Sequence, residues 1–182
     1  MAGQWKVWAS MSAKRHWSGI DCADKMVLDI GADYGATADF FLRQGARLVV
    51  AVESNAELAK QLAILATERS GLIALHQHVT SADDFRVLFD TWDPEVVKVD
   101  CEGCECALLE LEDSWFSRPA LYAVETHGPE QAERDGNPFP LASAEALHQF
   151  LLLKFQRCGY EVVRDIPHCC GHILYARRRS EG

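Results

Sequence analysis

Downstream of residue 25, short apolar runs alternate with amphipathic stretches that stop at glycine. Met26–Ile30 (MVLDI) reads as a buried strand closing on Gly31. Residues 36–44 follow as a helix with Gly45 as its stop, and 48–52 (LVVAV) as a second strand. Ser54, Asn55, Ala56 and Glu57 have capping-box spacing. A helix is predicted to start there, with Leu58, Leu62 and Leu65 on its apolar face and Gly71 at its end. Further strands are predicted at 72–79, Val96–Val99, Leu121–Glu125, 160–163 and 173–176. Helices are predicted at 84–90, at 105–111 and, capped by Ser143, at 144–158. Residues 127–140, with three prolines and two glycines, read as a loop. Uninterrupted apolar strands alternating with helices make βαβ units around a sheet buried on both faces. The last two strands flank a Pro-His-Cys-Cys-Gly turn that suits a hairpin. The expected fold is α/β: a mostly parallel seven-stranded sheet with a C-terminal antiparallel hairpin and helices on both faces.

A chain of 182 residues fits one domain. The divisions expected are an N-terminal arm or cap helix at 1–25, the domain at 26–177 and a basic tail at 178–182. No apolar run approaches a membrane span. The net charge of −9 argues against a nucleic-acid partner, because phosphate attraction needs clustered lysine and arginine. Residues 1–20 carry Lys6, Lys14 and Arg15 and no acid. This weakly resembles a transit peptide; the reading preferred is an arm that packs Trp5, Trp8 and Trp17 on the domain. Seven cysteines without an apolar leader suggest a reduced, cytoplasmic chain, its thiols free, metal-bound or reactive.

In open α/β sheets, ligands bind beyond the carboxyl ends of the strands. There Val27-Leu28-Asp29-Ile30-Gly31-Ala32-Asp33-Tyr34-Gly35 runs from strand through a glycine-bearing turn into a helix. Gly31 permits a sharp turn and close approach of a ligand, and the helix that Gly35 opens favours an anionic group. About twenty residues on, Glu53 ends the next strand and can accept both hydroxyls of a ribose, with Ser54 beside it. A dinucleotide fingerprint needs a glycine where this chain has Asp33. Asp29, ahead of Gly31, suits an amino-acid ammonium group better than a pyrophosphate.

The segment VLDIGADYGATADFFLRQGARLVVAVES resembles the first motif and acidic second-strand end of class I S-adenosylmethionine (SAM) dependent methyltransferases. VVKVDCEGCECALLELED followed by ALYAVETHG is similar to the FkbM family, on Lys98, Asp100, Glu102, Gly103, Glu105, Glu125 and His127. Ser81–Phe85 resembles the segment leading to that signature, and the likeness spans roughly residues 26–128. It implies the Rossmann-like class I fold and SAM as cofactor, held by Asp29, Gly31, Ala32, Asp33, Tyr34, Gly35, Glu53, Ser54 and Asp100. Asp83 or Asp84 would accept from the adenine amino group and Phe85 would lie on the ring; equally, Asp83 or Asp84 simply caps the next helix. Two departures stand out: a short stretch before Ser81, and cysteines at 101, 104 and 106 inside the signature.

The resemblance implies methyl transfer to a hydroxyl of a small-molecule or glycan acceptor. His127 is the candidate base on its ordinary pKa of about 6.5, Asp100 the residue that orients the acceptor or an ammonium group, and Glu102 a contact to substrate or to a metal. Glu105 reads as a charge at a helix N-terminus. No metal is expected; Cys101, Cys104, Cys169 and Cys170 are the candidates if one binds. Competing readings are an RNA or protein methyltransferase, drawing on Lys6, Lys14 and Arg15 with the three tryptophans and on Arg177, Arg178 and Arg179, and a non-catalytic SAM-binding or metal-binding scaffold.

Overall fold

The computed structural model describes residues 16–168 and 171–179. They form a mostly parallel seven-stranded sheet with a C-terminal antiparallel hairpin and helices around it, in the strand order β3-β2-β1-β4-β5-β7-β6. The chain divides into two compact units, one ending at His78 and one beginning at Val79. The arm residues Trp5 and Trp8, with Lys6, Lys14 and Arg15, lie outside the described residues, as do Cys169 and Cys170.

The first unit comprises β1 (Met26–Ile30), α1 (Ala36–Arg43), β2 (Leu48–Glu53), α2 (Ala56–Glu68) and β3 (Leu72–His76). β1 pairs parallel with β2, and β2 with β3. Every residue of β1 is buried, so a run such as MVLDI, without polar alternation, is what the position requires. Asn55, not Ser54, caps α2: its side chain accepts from the amides of Glu57 and Leu58. Gly35 sits at φ 95°, and a Cβ there would lie 2.6 Å from Leu65 and 2.8 Å from Leu62. Only glycine therefore lets the turn pass beneath α2. Trp17 is buried in this unit. β3 ends at His76, short of the predicted 79.

The second unit holds α3 (Ala82–Trp92), β4 (Val96–Val99), a 3-10 turn (Cys104–Cys106), α4 (Ala107–Glu110), α5 (Asp113–Phe116), β5 (Leu121–Glu125), α6 (Pro129–Asp135), α7 (Ala144–Arg157), β6 (Tyr160–His168) and β7 (Gly171–Arg178). β4 and β5 are parallel; β7 runs antiparallel to both β5 and β6. Two predictions are corrected here. The stretch read as a loop at 127–140 contains α6, because Pro129 occupies the first turn and Gly136 closes the helix at φ 72°. The single helix predicted at 105–111 is a 3-10 turn followed by one turn of α-helix. The hairpin strands are also longer than predicted. Arg178, expected in a tail, belongs to β7 and pairs in register with Tyr160.

The core of this unit is aromatic. Phe116 stacks on Tyr122 at 4.8 Å and meets Phe155 and Tyr160. The hydroxyls of Tyr122 and Tyr160 both donate to the Phe116 carbonyl at 3.0 Å, so these two phenols are buried with a partner. Lys154, 5% exposed, reaches from α7 to the carbonyls of Leu109 (3.1 Å) and Leu111 just past α4. A cation at the end of a helix answers its unpaired carbonyls and its dipole.

Candidate functional site

In the first unit the turn after β1 is fastened to the end of β2. Gly31, Asp33 and Gly35 all have positive φ, 76°, 54° and 95°, giving three left-handed residues in five. The amides of Gly31 and Ala32 donate to the Val52 carbonyl at 3.0 and 3.1 Å. Glu53 is 7% exposed; its carboxylate accepts from the amides of Asp33 (2.8 Å) and Asn55 (2.7 Å). A carboxylate has about four lone-pair sites, so two remain for a ligand. Asp29 accepts from the Thr37 hydroxyl at 2.5 Å, which ties β1 to α1. Asp29, Gly31, Ala32, Asp33, Tyr34, Gly35, Glu53 and Ser54 thus share one edge of this unit. Asp33 and Ser54 are exposed there and Tyr34 half-buried.

In the second unit Ser81 caps α3, and Asp84 returns the bond: its carboxylate accepts from the amides of Thr80 (2.9 Å) and Ser81 (3.0 Å) and from the Ser81 hydroxyl (2.8 Å). These bonds outweigh burial and hold the Asp84 carboxyl below its usual range. Asp84 therefore fills the capping role that was one of the two expectations for it. Asp83 is exposed and pairs with Arg86. Phe85 is fully buried, edge-on to Phe89 at 6.1 Å, so it offers no face to a ring.

The ends of β4 and β5 carry the other candidates. His127 is 2% exposed. Its Nδ1 lies 2.8 Å from Glu105 Oε1, and its Nε2 lies 3.7 Å from Asp100, 3.8 Å from Glu102 and 3.8 Å from Glu125. Lys98, fully buried, has Nζ 3.5 Å from Asp100. Burial by itself would push His127 down. The bond with Glu105 and the charges of Glu105, Asp100 and Glu102 override it and raise the ring to about 9. The expectation of an ordinary histidine pKa is thereby corrected, because four carboxylates surround this ring. Burial raises Glu125, and the Asp100 charge adds to it against His127 and Lys98, bringing it to about 7. Burial also raises Glu102.

Glu105 stands in the first turn of the 3-10 helix, as expected of a charge at a helix start, and it is also a fully buried partner of His127. The tight 3-10 turn swings it inward, where the Cys101 amide donates to it at 3.2 Å. Cys101 and Cys104 are joined in a disulfide, which corrects the expectation of reduced thiols there and removes both as metal ligands. Cys106 is buried, and burial with the charges of Glu105 and Glu110 raises its thiol to about 12, far from the thiolate that binds metals. Within the disulfide ring, Glu102 has φ 56° and Gly103 φ 123°. Asn137 fastens the ring from outside by donating to the carbonyls of Cys101 (2.9 Å) and Glu102 (3.2 Å). The basic run is largely engaged: Arg177 pairs with Glu161 at 3.3 Å, and Arg178 donates to the Arg118 carbonyl at 2.8 Å. Among the described residues no helix is long and apolar enough to cross a membrane.

No protein-family model and no curated protein matches the sequence. Solved structures do. The chain is similar to magnesium protoporphyrin IX methyltransferase from Synechocystis PCC 6803 with bound SAH: TM-score 0.60, 12% identity, covering 96% of this chain and 83% of that one. It is similar to the fibrillarin pre-rRNA processing protein of Methanococcus jannaschii: TM-score 0.57, 13% identity, covering 87% and 68%. It is also similar to mitomycin 7-O-methyltransferase: TM-score 0.50, 17% identity, covering 96% of this chain and 54% of that one. The chain has the class I methyltransferase fold. With neighbours this varied, the fold does not select an acceptor.

Proposed function

We propose that this chain is a SAM-dependent methyltransferase of the FkbM kind, transferring a methyl group to a hydroxyl of a small-molecule or glycan acceptor. The observation that carries the reading is the Gly31–Gly35 turn folded onto the Glu53 carboxylate. Glycines at the two ends of the turn take left-handed positions without a Cβ, and Glu53 retains acceptor capacity for ribose hydroxyls. Asp29 would receive the ammonium group, and Ala32, Asp33, Tyr34 and Ser54 would line the same edge. When bound, SAM supplies an already activated methyl group. What falls to the protein is to orient the acceptor and take its proton.

Glu125 is the group for that proton. With a pKa of about 7 it is substantially ionised at neutral pH and still basic enough to accept. His127, held as a cation to about 9, stabilises the ionised carboxylates around it, and Glu105 fixes its ring through Nδ1. Asp100 orients the acceptor, and the more exposed Glu102 contacts it. This exchanges the roles assigned from sequence: the carboxylate is the base and the histidine the positioning group.

Titration calorimetry with SAM tests the reading, with NADH and a Glu53→Ala variant alongside. SAM binding that is lost in the variant supports it and justifies a screen of hydroxyl acceptors. No binding by well-folded protein overturns it.

A further inference from the structure

A second cluster of titratable side chains lies where α7 meets the β6–β7 hairpin. Glu145 and His148 are one turn apart on α7, Asp165 is on β6 and His172 on β7. The imidazoles of His148 and His172 stack at 3.7 Å, nearly parallel at 16°. One carboxylate holds both rings: Asp165 Oδ2 lies 2.9 Å from His148 Nε2, and Asp165 Oδ1 lies 2.7 Å from His172 Nδ1. A carboxylate only accepts, so on neutral rings the hydrogens sit on those two nitrogens. The lone pairs are then left on His148 Nδ1 and His172 Nε2. Both nitrogens face Glu145, at 3.8 and 3.6 Å, and one ligand atom from each of the three residues falls within 4.8 Å of the others.

We propose that His148, His172 and Glu145 form a binding site for a divalent transition-metal ion of the zinc type, with Asp165 as the carboxylate that orients both histidines. Two nitrogen or oxygen ligands at about 2.1 Å in tetrahedral geometry stand about 3.4 Å apart; the two short approaches run to different oxygens of Glu145, so the ion would take one oxygen and the stacked rings would tilt from their 16° to bring both lone pairs onto it. With both rings neutral, Asp165 and Glu145 carry two negative charges, which a divalent cation balances. A carboxylate bonded to the far nitrogen of each ligating histidine is the usual support of such sites. Two imidazoles and one carboxylate are a donor set that suits zinc. His148 is 4% exposed and set by packing, while the Glu145 side chain is 63% exposed and gives the ion its entry. The Gln149 amide, on that exposed flank, donates to Glu145 Oε1 at 2.9 Å and lies 3.5 Å from His148 Nδ1, so it holds the place that the ion would take from it. The ion would clamp α7 to the hairpin. Its ligands are separate from the candidate catalytic groups and from the paired Cys101 and Cys104.

The test is calorimetric titration of Zn2+ into metal-stripped protein, with Co2+ absorption reporting geometry. One ion per chain is expected, with a tetrahedral Co2+ spectrum. Asp165→Asn should weaken binding roughly 10- to 100-fold, and Glu145→Gln and His172→Ala should weaken it further. His127→Asn should leave the affinity unchanged, which separates this site from the Asp100, Glu125 and His127 group. Absence of stoichiometric binding overturns the proposal, as does binding undiminished in Glu145→Gln. Circular dichroism confirms folding of each variant. If His172→Ala fails to fold, the exposed Glu145→Gln decides.

Discussion

Glu105, Glu125 and His127 show how neighbours set the behaviour of a side chain. Glu105 is wholly buried yet bonded to an imidazole and a backbone amide, whereas burial dominates at Glu125. Under the proposed chemistry, the rate should rise with pH as Glu125 ionises near 7 and fall as His127 loses its proton near 9. Glu125→Gln should remove the lower limb along with most of the turnover. Glu105→Gln should lower the pH of the upper limb, because the histidine cation loses its strongest partner. Rate profiles between pH 5 and 10 check both, and a flat profile for the unsubstituted protein would reject the assignment of the base. Gly103 offers a test independent of activity. A Cβ there would lie 2.5 Å from the Ala132 Cβ and 3.0 Å from its Cα, at φ 123°. Left-handed strain and overpacking together predict a loss of about 2–4 kcal/mol for Gly103→Ala, read as a lower urea midpoint.

At the scale of the element, local signals were readable in the sequence where a single residue type does the work. The strand ends of β1, β4 and β5 follow from apolar runs bounded by glycine or acid. Ser143 caps α7 as predicted by accepting from the Ala146 amide at 3.2 Å. Ser143→Ala should cost about 1 kcal/mol, measurable as a fall in Tm. The helix α6 was hidden because its start and stop residues, Pro129 and Gly136, are also loop formers. The inward turn of Glu105 was hidden because it depends on a 3-10 turn and on a disulfide that spacing alone does not specify. The residues of the Gly31–Glu53 edge could be read as one motif, while the bonds and charges among Asp100, Glu102, Glu105, Glu125 and His127 needed the structure. The Cys101–Cys104 ring encloses four residues. Chain-entropy closure of so short a ring is worth about 2 kcal/mol, so reduction, or paired substitution to serine, should lower the urea midpoint by a matching amount. An unchanged midpoint would mean that Asn137 and the turn itself hold the loop.

For the molecule as a whole, the buried titratable groups set a direction for stability against pH. His127, raised from 6.5 to about 9, adds stability that is complete below 6.5 and gone above 9. Glu125, raised from 4.5 to about 7, subtracts stability as it ionises between those values. Both push the same way, so this cluster makes the native state more stable near pH 6 than near pH 9, which denaturation at the two pH values would test. The second unit also encloses two amines, Lys98 at 0% and Lys154 at 5% exposure. An acylating reagent reaches a shielded amine only when the surrounding structure opens. Mass-spectrometric labelling at these two positions, timed against the exposed Lys60, therefore makes the native chain its own clock for unfolding, with no residue substituted.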